Sequence, residues 1–176
     1  MYQMDERVID RSMTYLEYRQ LIETLLQQNK TTGNNHSTAM LHYTNMNLVR
    51  MNRLDKKATL IEEARSLLPR LERPLLWLVL TEAWCGDAAQ VIPVLKKMAD
   101  AADQTELRLL LRDEHPAIMD AFLTNGSRSI PKLIVLDAET LDVLSTWGPR
   151  PAEAQRISRE GKAELAAINE RAQRRE

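Results

Sequence analysis

The sequence predicts an α/β fold with a mixed sheet behind an α-helical N-terminal extension, and three observations lead there. Up to about Arg73, apolar residues recur at helical spacing. From Pro74 onward, short apolar runs alternate with helical ones. At the first junction of strand and helix stands Cys85, the only cysteine among 176 residues. The division expected is therefore 1–73 for the helical extension and 74–176 for the α/β domain.

In the extension, Tyr15, Tyr18, Ile22 and Leu25 share one helical face, supported by Leu21 and Leu26. Thr31-Thr32-Gly33-Asn34-Asn35 supplies a loop. Ser37 or Thr38 caps a second helix running through Leu41, Met46 and Leu54, and a third follows with Leu60, Ala64, Leu67 and Leu71 on one face. Whether these two are one bent helix is open. The polar and basic run from Asn45 to Lys57 reads as a solvated face, a roof over the cysteine, or a dimer contact.

Pro69 and Pro74 bracket the exit into a buried strand over 75–80. A helix over 86–102, a strand over 106–111 and a helix over 115–125 follow. His115-Pro116 marks the start of that helix and Asn125-Gly126 its stop. Strands over 132–136 and 141–146 flank the turn Asp137-Ala138-Glu139-Thr140, and a helix covers 151–172. The first two strands are joined through a helix and are expected parallel; the last two are joined by a turn and are expected antiparallel. The charged end from Asn169 to Glu176 is expected to fray.

The formal net charge of −1 gives no general pull toward nucleic acid or acidic membranes. One cysteine excludes an intramolecular disulfide and a cysteine-rich metal site. His36, His42 and His115 show no ligand spacing with Cys85, so no metal is expected. The first seven residues are mixed in charge without an apolar stretch, and the longest apolar run, Leu75 to Leu80, is too short to span a bilayer. A soluble cytoplasmic protein is the expectation.

The stretch Trp84-Cys85-Gly86-Asp87-Ala88 resembles the W-C-G-P-C active site of the thioredoxin family. Pro93 stands eight residues after Cys85, as in that family's active-site helix. Arg128-Ser129-Ile130-Pro131-Lys132 is similar to the family's cis-proline loop, and Trp147-Gly148 to the glycine of its last strand. The resemblance covers the chain from about Arg73 and implies a thioredoxin-like three-layer sandwich, with helices on both faces of a mixed sheet. It also implies a cis bond at Pro131, with Ile130 offering its backbone to an extended substrate peptide. The departures are equally plain. Ala88 replaces the second cysteine, Asp87 the proline, and Val79 the buried acid six residues before the nucleophile.

Cys85 sits where free N–H groups and the helix dipole favour an anion, which is expected to lower its pKa. Three readings of Asp87 stay open: a helix-start residue, an anion that opposes the thiolate, or a group that binds substrate or takes a proton. Arg112 either lowers the thiol pKa or binds a carboxylate, or else belongs to a solvated loop. Trp84, Gly86, Ile130, Pro131 and Arg112 are the candidate substrate-binding residues, and Cys85 and Asp87 the candidate catalytic ones.

The leading functional expectation is a thiol-dependent redox or substrate-binding protein. Without a second cysteine, its adducts need an outside thiol such as glutathione or another low-molecular-weight thiol, and no bound cofactor is expected. The expected partner is a protein or small-molecule disulfide or thiol. The oligomeric state is open, a homodimer through the N-terminal helices being one option. The alternative function is a non-catalytic module that binds a peptide or protein in the cis-proline groove. A glutathione-transferase-like enzyme ranks last, because in that family the helices follow the thioredoxin part.

Overall fold

The computed structural model describes residues 2–173, with side chains through Ile168; the end from Asn169, where fraying is expected, lies outside the described side chains. In chain order the helices Glu6–Asp10 (α1), Tyr15–Gln27 (α2), Thr38–Lys57 (α3) and Glu62–Leu67 (α4) precede strand Leu75–Thr81 (β1). Then come Gly86–Asp100 (α5), Thr105–Leu111 (β2), Pro116–Ala121 (α6), Lys132–Asp137 (β3), Val143–Trp147 (β4) and Ala152–Gln173 (α7). The sheet runs β2-β1-β3-β4. β1 is parallel to β2 and antiparallel to β3, and β3 is antiparallel to β4. The expected mixed sheet is what the chain builds.

Every residue of β1 is buried, as suits a central strand covered on both faces. Its alternate side chains feed two cores. Trp77 and Val79 meet Ile92 and Leu95 of α5, Tyr18 and Ile22 of α2, and Met51 of α3. Leu76, Leu78 and Leu80 meet Met119 of α6, Phe122 and Met4 on the opposite face. Each fully buried aliphatic side chain contributes roughly 1.5–3 kcal/mol, so β1 alone outweighs any single polar contact in the molecule. The helices before β1 pack on this sheet. Met13 bridges to Leu109 on β2, and Gln3 bridges to Asp142 beside β4.

Several boundaries differ from expectation for local reasons. α1 is a short helix whose Val8 and Ile9 pack against the core, and its Asp5 cap accepts from Arg7 N. The second and third helices are separate, since α3 ends at Lys57 with Ala58 extended. Pro69 lies in a 3₁₀ turn over Leu68–Arg70. The helix expected over 115–125 stops at Ala121, because Phe122 leaves the helical region and Asn125 and Gly126 turn left-handed. The strand expected from 141 begins at Val143. Leu141 has φ +58°, and the Asp137 carboxylate accepts from Glu139 N and Thr140 N, which closes the turn.

Gly148 ends β4 with φ +122°, and a Cβ there would lie 2.2 Å from the Pro131 carbonyl oxygen. Only glycine lets these two backbones meet. Gly148→Ala is expected to cost at least ~2 kcal/mol, combining left-handed strain with a backbone clash. Gly126→Ala, with φ +74° but open space, isolates the strain alone. Urea midpoints of both variants make the comparison; equal losses would mean that the close approach does not matter.

Candidate functional site

The site forms where β1 ends and α5 begins. Cys85 is the N-cap of α5, with extended backbone and no side-chain capping bond. Its half-buried thiol donates to the Ile130 carbonyl oxygen at 3.4 Å, and the Ile130–Pro131 bond is cis. The loop carrying Pro131 thus lies directly against the sulfur.

The N-terminal helices hold the motif in place. The loop after α2 brings Thr32, whose hydroxyl oxygen accepts from Ala83 N at 2.9 Å. From α3, Asn47 donates through Nδ2 to Ala83 O at 3.0 Å. Both residues are buried. Asn47 also accepts from Arg50 Nη1 at 2.9 Å, and a Cβ on Gly86 would come within 3.2 Å of that nitrogen. Within the polar run, Asn45, Asn52, Arg53, Lys56 and Lys57 are exposed and form the expected solvated face, while Asn47 and Arg50 reach over the cysteine motif, where the glycine after Cys85 leaves room for them.

The thiol environment corrects one expectation. Burial pushes the Cys85 thiol above its ordinary range. The Ala88 and Asp87 backbone N–H groups and the Arg112 charge pull it down, while the Asp87 carboxylate pushes it up. The helix start acts in the expected direction, but burial outweighs it, because removing a thiolate from water costs more than partial charges return. Asp87 pairs with Arg150, Oδ2 to Nη2 at 2.6 Å, with both side chains about one-third exposed. Such a pair contributes ~1 kcal/mol at most. Its consequence lies in moderating the charge beside the sulfur.

Arg112 stacks over the Trp84 ring at 4.9 Å, bonds Asp113 at 2.8 Å and donates to Arg128 O at 3.3 Å. It ties β2, the tryptophan and the cis-proline loop together. Trp84, Arg112 and Asp113 line a pocket of about 440 Å3 with Asn34, Asn35 and Met40.

Thr32 and Glu82 carry no site role in the sequence reading, and Asn47 and Arg50 enter it only as members of the polar run, one of whose three readings is a roof over the cysteine. Arg150, in the turn Trp147-Gly148-Pro149-Arg150-Pro151, reads from the sequence as a turn residue that could also face the site, and its pair with Asp87 brings it there. Glu82 is fully buried, three residues before Cys85. Its Oε1 accepts from Asp113 N at 2.9 Å, and among the described residues Oε2 has no hydrogen-bonding partner. Burial pushes the carboxyl above its usual range, partly offset by Thr32 and by the Asp113 N–H. A signal existed in the sequence, since the acid stands two residues after the wholly apolar run Leu75 to Leu80.

The thioredoxin family model matches residues 33–165, from the loop before α3 into α7. No curated protein matches the chain. Among solved structures, a protein of unknown function from Pseudomonas aeruginosa is similar, with TM-score 0.53 and 20% identity over 89% of this chain and 87% of the other. An HIV epitope-scaffold is similar with TM-score 0.50 and 20% identity over 79% of each chain. At that identity the likeness speaks for the fold alone. Among the described residues, no helix is long and apolar enough to cross a membrane.

Because the folded state holds the Glu82 proton more tightly than the unfolded chain, Glu82 weakens the fold as pH rises from the ordinary glutamate range, near 4.3, through its raised value. Acidification relieves that penalty. Glu82→Gln keeps an oxygen for the Asp113 N–H and removes the titration. The variant is expected to be more stable than wild type at about pH 7–8, with the gap closing toward about pH 4.5. Thermal melts across that range test it; a constant gap would mean that Glu82 does not titrate differently on folding.

Proposed function

The chain belongs to the thioredoxin family, and from that premise we propose that it acts as a monothiol redox or substrate-binding protein through Cys85. The observation carrying this reading is the Cys85 thiol at a helix start, 3.4 Å from Ile130 O in the cis-proline loop, in a chain with no other cysteine. Ionised, Cys85 attacks one sulfur of a disulfide, forms a mixed disulfide and expels the other half as thiolate. With a peroxide it becomes a sulfenic acid and the cleaved O–O bond releases an alcohol or water. An outside thiol, such as glutathione, then attacks the mixed disulfide and restores Cys85. A sulfenic acid needs two such thiols, the first releasing water and the second releasing their disulfide.

In this reading Trp84, Gly86, Ile130 and Pro131 form the substrate surface, and Arg112 positions Trp84 through its stacking. The Ile130 carbonyl accepts the thiol proton until substrate arrives. Asp87 sets the charge beside the sulfur together with Arg150.

The raised thiol pKa favours a second reading, in which the cis-proline groove binds a peptide or protein partner without covalent chemistry. Mass spectrometry of native protein treated with peroxide or oxidised glutathione separates the two. The redox reading expects one adduct per chain, absent from Cys85→Ser. Unmodified protein under both reagents would leave the binding reading.

Charge tuning is tested by the pH dependence of iodoacetamide labelling. Asp87→Asn is expected to speed alkylation near neutral pH by roughly twofold to fivefold, since a screened like charge is removed. Arg150→Gln is expected to slow it, because Asp87 then acts unpaired. If Asp87→Asn labels more slowly, the carboxylate serves as a base or positioning group.

A further inference from the structure

The face of the sheet that carries α5 is only partly covered. α2, α3 and α5 pack over the β2 and β1 side. Beyond α5, toward β3 and β4, lies an apolar groove of about 620 Å3. Val91, Val94 and Met98 of α5 form one wall, and Trp77, Leu133 and Trp147 form the floor and far side. Trp147 is 36% exposed there, large for a tryptophan in a strand.

The residue at the rim of this groove is Pro151, and α7 begins at the next position. α7 makes no packed interface with another element among the described residues. Its large apolar side chains are bare: Ile157 is 58% exposed, Leu165 59% and Ile168 54%. With Gly161 between them they fall on one helical stripe, spanning about 16 Å from 157 to 168. The groove follows α5 for about 12 Å from Gln90 to Met98. One chain therefore displays both halves of a helix-in-groove contact, each unpartnered.

The start of α7 is tied to Arg150, and its apolar side chains do not fill the groove of their own chain. Gln155 Nε2 donates to Arg150 O at 2.8 Å, and Arg150 Nη1 donates to Ser158 at 3.3 Å. Arg150 is itself paired to Asp87 on α5. With these bonds in place, the stripe from Ile157 onward stays bare.

We propose that α7 of a second copy of this chain occupies the groove, in a reciprocal exchange that makes a twofold dimer. A patch and its complement on the same molecule close symmetrically when each copy gives its helix to the other. Specific interfaces bury roughly 1,600 Å2 in total. A single three-turn helix face in a single groove falls short of that, and the exchange forms the contact twice. The interface differs from one through the N-terminal helices and does not involve the thiol.

Sedimentation velocity on the full chain tests this at about 1–100 μM, with excess reductant so that Cys85 cannot cross-link copies. Wild type is expected to be dimeric. Ile157→Asp with Leu165→Asp changes only exposed positions and is expected to give a folded monomer, its dissociation constant raised at least tenfold. Val94→Asp, or Met98→Glu if the first does not fold, damages the groove and is expected to do the same. A monomeric wild type would overturn the exchange. So would a dimer that survives the helix variant. A dimer that survives the groove variant would also overturn it, since two α7 helices would then be pairing with each other.

Discussion

The site rests on two hydrogen bonds to one residue. Ala83 lies between the end of β1 and the start of α5, buried where neither the sheet ladder nor the helix can satisfy its peptide groups. A buried peptide group left unpaired costs roughly 1–3 kcal/mol. Thr32, on the loop after α2, accepts from the Ala83 N–H, and Asn47, on α3, donates to the Ala83 carbonyl; both precede the sheet in the chain. The loop bearing Thr32 is anchored in turn, since Thr31 and Thr44 share a hydroxyl hydrogen bond at 2.6 Å. The cysteine motif therefore depends on the N-terminal helices for its backbone geometry. The same contact places Arg50 over Gly86, which explains why a side chain there would be crowded.

This arrangement also explains the character of the thiol. Satisfying Ala83 brings α3 against the motif, and Cys85 itself is half-buried against both cores of the sheet. The helix start stabilises a thiolate through N–H groups, yet burial opposes ionisation more strongly. Position at a helix N-terminus is thus insufficient to decide acidity. What decides it is how much water the surrounding elements exclude.

Much of the fold was legible in the sequence. The run Leu75 to Leu80 reads as a central strand because a strand covered on both faces has no polar position. The sheet's mixed direction follows from a helical connection in one place and a turn in another. The roof was harder to read. α3 buries Thr44, Asn47 and Met51, which fall at helical spacing, but two of the three are polar. A pattern search for an apolar stripe passes over such a face, although the burial is real and the polar groups are there to bond the motif. Glu82 escaped for the related reason that its burial depends on Asp113 folding over it, a contact 31 residues away. The shortened last strand turns on Leu141 adopting a left-handed backbone, which leucine seldom does.

Arg150 joins the two functional regions of the molecule. Its Nη2 holds Asp87 in the first turn of α5, its Nη1 holds Ser158, and its carbonyl receives Gln155. The base of α7 and the charge beside Cys85 are therefore set by one guanidinium and its backbone. Because Asp87 raises the thiol pKa and Arg150 offsets that charge, a shift of Arg150 away from Asp87 makes Cys85 a weaker acid. The rigid part of the site, built on Ala83, fixes where the sulfur is. The surface pair between Asp87 and Arg150, worth little as stability, sets the charge beside it.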